Sequence, residues 1–291
     1  MGLAWQQGPL APGAIGTFLV PEPLPKRLLY AEPLRRRMRV MLGGQSIAES
    51  DDVIVLHEPG RYPVAYFPKR SILPGALVAT DRRSDHPGLG ETTWFEVRGG
   101  DESAPRGAWE HTGLKPFARV LEDHVAFAWT AMDGFYEEDE RIIGHAADAY
   151  HRIDIRQSAR HLAIGSHGTQ LVETDRAIVL YESGFASRWY VPRGDIADGV
   201  LTPVERTTFC PYKGICNYYD VAGAHQAAWA YLQPYQEVDR IDSCVSFEPD
   251  KLEVTIDGQR LEPEPGQHVV AHGPDRNLTT DEVTVQADGL T

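Results

Sequence analysis

Residues 207–221 read TTFCPYKGICNYYDV, and Cys210, Lys213 and Tyr218 are the side chains there whose types could do chemistry. A lysine three residues beyond a cysteine can lower the thiol pKa and favour the thiolate, the form that attacks electrophiles. A nucleophilic thiol also needs a base, and no local motif sets a histidine beside Cys210. Pro211 holds φ near the value wanted at the second position of a β-turn and keeps Cys210 extended. Gly214 admits backbone angles closed to other residues. The turn accounts for Pro211 and Gly214. Cys210 and Lys213 are left as an inert buried pair, the wall of a binding site, or a reactive thiol with its activating cation.

Other polar and aromatic residues fall near the same strands. Strand alternation puts Arg188 and Tyr190 on one face with Pro192, and Trp189 and Val191 on the other. Glu182 ends the preceding strand, and Arg193-Gly-Asp195 follows the next turn. A carboxylate, several cations and aromatic rings at one end of a β domain suit an aromatic-walled pocket with a few convergent polar groups. The candidate ligand-binding set is therefore Glu182, Arg188, Tyr190, Arg193, Cys210, Lys213, Tyr218 and Trp229, with Cys210 the weak catalytic candidate. An ordinary Glu182–Arg188 ion pair with Trp229 filling the core meets the same residues, and both readings stand open. His151-Arg152-x-Asp154 with Arg160-His161 reads either as a salt-bridged linker or as a contact reaching a domain interface.

Metal and phosphoryl-transfer chemistry find no motif. Cys210 and Cys216 are spaced Cys-x5-Cys, Cys244 stands alone, and His161 and His167 lie on no clear ligand spacing, so no metal site is expected. Gly165-Ser166 is a bare dipeptide without a following Asp-x-Asp, and no Walker-type loop occurs. The run Glu137-Glu138-Asp139-Glu140 reads as a solvated face. No cofactor is expected.

The elements that must position these residues are strands. The 291 residues carry 42% hydrophobic and 24% charged side chains, with six tryptophans, which suits two globular domains. The net charge of −14 argues against nucleic-acid backbones and anionic membranes as partners, though not against a local basic pocket. Three cysteines make no disulfide framework, the N-terminal MGLAWQQGPLAPGAIG lacks the basic and apolar regions of a signal peptide, and no run suits a membrane span. A cytoplasmic protein is expected.

The chain repeats itself. IAESDDVIVLHEPG (47–60) aligns with LVETDRAIVLYESG (171–184) at an offset of 124 residues. Glu58 falls on Glu182, Tyr66-x-Pro68 on Tyr190-x-Pro192, and Pro87-x-x-Gly90 on Pro211-x-x-Gly214. The match resumes at an offset of 120, placing Ala108-Trp109 on Ala228-Trp229, so the loop around GGDESAPRG (99–107) is expected to be four residues longer in the first copy. Short β-branched and aromatic runs bounded by Gly and Pro predict strands in both copies, with hairpin turns at Gly43-Gly44 and His167-Gly168. Short helices are expected near Pro116–Asp123 and Pro234–Ser243. The expected division is a Pro-rich extension 1–35, a first β domain 36–140, a linker 141–157, a second β domain 158–257 and a loosely ordered tail 258–291.

Thr208-x-Cys-Pro-Tyr-Lys-Gly214, with Arg188-Trp-Tyr-Val-Pro-Arg193 before it and Ala228-Trp-Ala-Tyr231 after it, resembles the bacterial tandem proteins of the domain of unknown function 427 family. That family is also filed under a nucleotidyltransferase label. Phe135-Tyr-Glu-Glu-Asp139, Tyr150-His-Arg-Ile-Asp154 and Ser158-Ala-Arg-His161 fit its two-copy members, and the resemblance covers roughly residues 36–256. It implies mainly β, compact domains related to the β-tent group, and it assigns no activity. The first copy departs from the pattern: His86-Pro-Gly-Leu-Gly90 replaces the cysteine string, Val64 stands where Arg188 does, and Leu89 where Lys213 does. A pocket is therefore expected in the second copy. The functional expectation is binding of an anionic or carbonyl-rich small molecule there. The alternatives are transfer or redox chemistry at Cys210, and a protein-interaction scaffold. The sequence leaves the oligomeric state open.

Overall fold

The computed structural model describes residues 19, 28–58, 62–146, 148–183 and 185–262. The proline-rich stretch before residue 28, apart from residue 19, and the polar tail beyond residue 262 lie outside the described residues. The chain divides into two units between Ala149 and Tyr150.

Each unit is mainly β, and each contains one seven-stranded and one four-stranded antiparallel sheet. In the second unit the large sheet runs Ile153–Gln157, Ile178–Glu182, Arg188–Pro192, Cys244–Phe247, Ala224–Tyr231, Gly214–Val221, Leu201–Cys210. The first unit has the same order: Tyr30–Pro33, Ile54–His57, Val64–Pro68, His124–Phe127, Glu102–Thr112, Gly90–Gly99, Leu77–His86. The duplication read from the sequence is thus a duplication of topology.

The two faces of each large sheet bury different sets. Alternation along Val64–Pro68 sends Phe67 into a cluster with Met38, Val40, Phe127 and Phe135, shared with the small sheet. Tyr66 goes to the opposite face, with Trp94, Trp109 and Leu121. In the second unit Trp189 and Val191 join Leu162, Ile164 and Phe247, while Tyr190 joins Leu180, Tyr231 and Ile241. Burying each large apolar side chain contributes roughly 1.5–3 kcal/mol, so both faces hold the sheet in place. The expected short helices are 3-10 segments, Pro116–Leu121 and Gln236–Ile241. They lie on the Tyr66 and Tyr190 faces, where Leu121 and Ile241 are buried.

Three local features differ from the sequence reading. Tyr30–Pro33, assigned to the extension, pairs with Ile54–His57 as an edge strand, where a proline costs no ladder bond on its solvent side. Ile153–Gln157, assigned to the linker, pairs with Ile178–Glu182, and its charged residues disguise the Ile153/Ile155 alternation. The extra residues near 99–107 lengthen both strands of a hairpin rather than its loop: Gly99 pairs with Glu102 as Val221 pairs with Ala224.

Candidate functional site

The hairpin Cys210–Gly214 closes the end of the second unit's large sheet, and its tight turn carries Lys213 back over the sheet. The Lys213 amide donates to the Cys210 carbonyl oxygen at 3.2 Å, and Gly214 takes φ +96°, which its lack of a Cβ allows. Lys213 is buried, with Nζ 2.5 Å from Glu182 Oε2 and 5.9 Å from the centre of the Tyr231 ring. The other Glu182 oxygen lies 2.9 Å from His151 Nε2. The His151 ring stacks on Tyr212 at 3.8 Å, so the turn holds both partners of the carboxylate.

Burial pushes the Glu182 carboxyl toward neutrality. The Lys213 charge and the His151 hydrogen bond outweigh it and lower the pKa to about 2. Burial likewise opposes the charge on Lys213, yet Cys210, Glu182 and Tyr190 together raise its pKa above the usual lysine value. The result is a fixed, buried ion pair.

The thiols behave differently. Burial raises the Cys210 pKa against the opposing charge of Lys213. Cys216 is buried and pushed up to about 12, first by burial. All three cysteines are free thiols. Among the described residues, no three His, Cys, Asp or Glu side chains converge to hold a metal ion.

Beside the ion pair, Tyr190, Ser246, Trp229 and Tyr218 are successive register partners across four strands and so share one face. Tyr190 is buried. The Tyr218 hydroxyl bonds Thr208 Oγ1 at 2.8 Å. Arg188 lies 5.7 Å from the centre of the Trp229 ring, and Arg206 lies 5.3 Å from that of Tyr218.

Most of the sequence-derived residues therefore share this face. Lys213 and Glu182 pair with each other; Arg188, Tyr190, Tyr218 and Trp229 line the adjoining strip; Cys210 sits at the turn. Arg193 is the exception: its Nη1 donates to the Ile196 carbonyl oxygen at 3.0 Å, beside the core cluster of the opposite face. The residues that the sequence reading left out of the set are His151, Arg206, Tyr212, Cys216 and Tyr231. An internal signal marks several of them, because Thr92 aligns with Cys216, His111 with Tyr231, and Arg82 with Arg206.

The first unit builds a different network at the same place. His86 Nε2 lies 3.0 Å from Glu58 Oε1, and His86 Nδ1 accepts from the Gly88 and Leu89 amides at 3.2 Å each. Those two donors fix the ring proton on Nε2. His111 bridges Thr92 and Tyr66, and Trp109 donates to the Tyr66 hydroxyl at 3.3 Å. Here the aromatic strip is closed: Trp109 is 1% exposed, Trp94 5% and Val64 9%. In the second unit Trp229, Tyr218 and Arg188 are only half-buried.

A pair of duplicated units, each with a seven- and a four-stranded antiparallel sheet and a polar-aromatic cluster on the outer face of the larger one, defines the class. The family model described as a domain of unknown function (DUF427) matches residues 30–138 and 154–258, and the chain belongs to that family as a tandem member. No curated protein matches the chain. Among the described residues, no helix is long and apolar enough to cross a membrane.

Proposed function

We propose that this protein binds a small molecule on the second unit, at the face formed by Tyr190, Trp229, Tyr218 and Arg188 beside the Glu182–Lys213 pair, and that its ligand is anionic or carbonyl-rich. The observation that carries this reading is the contrast between the copies. The same strip of sheet is enclosed in the first unit and half-open in the second. Half-open aromatic rings flanked by guanidinium groups suit a ligand site, whereas enclosed ones serve packing. The buried ion pair makes the floor of that site rigid.

Thiol chemistry at Cys210 is the second reading. It draws support from the Lys213 charge, which opposes the rise in the Cys210 pKa, and it ranks second because burial raises that pKa and keeps the thiol protonated at neutral pH.

The test is a thermal-shift screen of anionic and carbonyl-bearing metabolites on the wild type, Trp229→Leu and the first-unit variant Tyr66→Phe. Hits that survive Tyr66→Phe and vanish in Trp229→Leu are expected. Hits lost in Tyr66→Phe and retained in Trp229→Leu would move the site to the first unit and refute the proposal.

A further inference from the structure

The sequence points to Lys213 as the cation that meets an anionic ligand, but Lys213 is buried against Glu182 and its charge is already matched. We infer that Arg206 is the specificity-determining cation of the second unit, and that the ligand is a flat aromatic ring bearing an anionic group. This rests on the ligand-binding reading above and narrows it.

The rings argue for a flat ligand. Trp229 and Tyr218 are neighbours in register and half-buried. The hydroxyl of Tyr218 is held by Thr208 from within the unit. That bond fixes the Tyr218 ring in orientation, and both rings keep part of their surface open beside the arginines. Faces of fixed aromatic rings select planar π systems, stacked offset or edge-on.

The charge argues for an anion. Arg206 lies over the Tyr218 ring, so a cationic ligand stacked there would meet a like charge at close range. Arg206 is exposed, and its Nη1 donates to the neutral Gln226 amide oxygen at 2.7 Å. A guanidinium has five N–H donors in a planar fork, which matches a carboxylate or a phosphate in two-point contact. The first unit supplies the control. Arg82 lies 5.2 Å from the centre of the Trp94 ring in the same arrangement, but over a tryptophan that is enclosed.

The experiment uses the full chain and three classes of probe, titrated by calorimetry. Indole-3-carboxylate and adenosine 5′-monophosphate carry ring and charge; indole and adenosine carry the ring alone; acetate and inorganic phosphate carry the charge alone. At least one ring-bearing anion is expected to saturate roughly tenfold or more tighter than its neutral counterpart, and the two simple anions are expected not to saturate. Whether the carboxylate or the phosphate binds better identifies the anionic group. Arg206→Met, an exposed change, should weaken that probe on the order of 10–100-fold, the loss of one charge-assisted contact, while Arg82→Met leaves it unchanged. Equal binding of charged and neutral rings, an unaffected Arg206→Met, or no saturation by any ring probe would overturn the inference. Binding that ignores Arg206→Met yet is abolished by Trp229→Leu would overturn only the role of Arg206 and leave the second-unit site standing. Binding insensitive to both changes would remove the site itself.

Discussion

Glu182 is a buried carboxylate whose ionised form is held by Lys213 and His151, and that has a definite pH signature. Its pKa falls from 4.5 to about 2 in the fold, where the Lys213 charge and the His151 hydrogen bond outweigh burial. A carboxylate depressed on folding contributes its stability fully above the unfolded value, and that stability is lost as the pH falls through the folded one. The window is therefore about pH 4.5 down to about pH 2, and the contribution at neutral pH is about 3 kcal/mol. In urea titrations across this window, Glu182→Gln should flatten the dependence of unfolding free energy on pH by about 1.4 kcal/mol per pH unit. Identical slopes in both proteins would show that the pair does not govern acid stability. The partner can be tested separately. Lys213→Leu installs the side chain found at Leu89 of the first unit and leaves Glu182 buried without its cation, at a cost of about 3–5 kcal/mol. Removing both ends together, in Glu182→Leu with Lys213→Leu, should cost clearly less than the two single changes added. Strict additivity in that cycle would contradict the pairing.

The turn that delivers Lys213 depends on a glycine in each copy. Gly90 and Gly214 adopt φ +110° and +96°, a region in which other residues are strained. A Cβ on Gly90 would stand 3.1 Å from the Thr112 carbonyl oxygen, and one on Gly214 3.4 Å from that of Gln233. Gly90→Ala and Gly214→Ala should each destabilise by about 1–3 kcal/mol, with the tighter Gly90 position at the upper end, as read by thermal denaturation. A neutral Gly214→Ala would mean that the turn relaxes at no cost. Much of this element was legible in the sequence. Alternation along Arg188–Pro192 placed Arg188 and Tyr190 on the correct face, and the Pro–Gly pair located the turn. The partner of Glu182 was not legible, since Arg188 was the nearer cation in sequence while the folded-back turn brings in Lys213 from 31 residues away. His151 was missed for a related reason. It leads into an edge strand whose alternating charges resemble a linker, and its role appears only when that strand docks beside Glu182. Arg193 was included because it follows the strand closely, but the 3-10 turn at Arg193–Asp195 directs its guanidinium to its own turn.

The duplication gives two units that solve the same packing problem with different polar chemistry, and among the described residues each has its own pair of sheets and its own two buried clusters. Every strand of the second unit's two sheets lies between Ile153 and Arg260, and each of its ladders closes on a partner within that span. Both of its buried clusters are likewise built from residues of that span, with Leu261 at the margin. A fragment with its own core on both sheet faces has what a domain needs to fold alone. Residues 150–262 expressed alone should therefore give the circular dichroism of an antiparallel β protein and a single cooperative unfolding transition. The fragment should also keep the acid signature of Glu182, because His151, Lys213 and Glu182 all lie inside it. That second reading matters, since a collapsed but misassembled fragment could pass a test of secondary structure alone. A correctly paired one must lose stability between about pH 4.5 and about pH 2, and its Glu182→Gln form must not lose it to the same degree. A fragment that unfolds without cooperativity would show that the second copy depends on the first for its fold. A cooperative fragment lacking the acid dependence would place its turn, and with it Lys213, somewhere other than over Glu182.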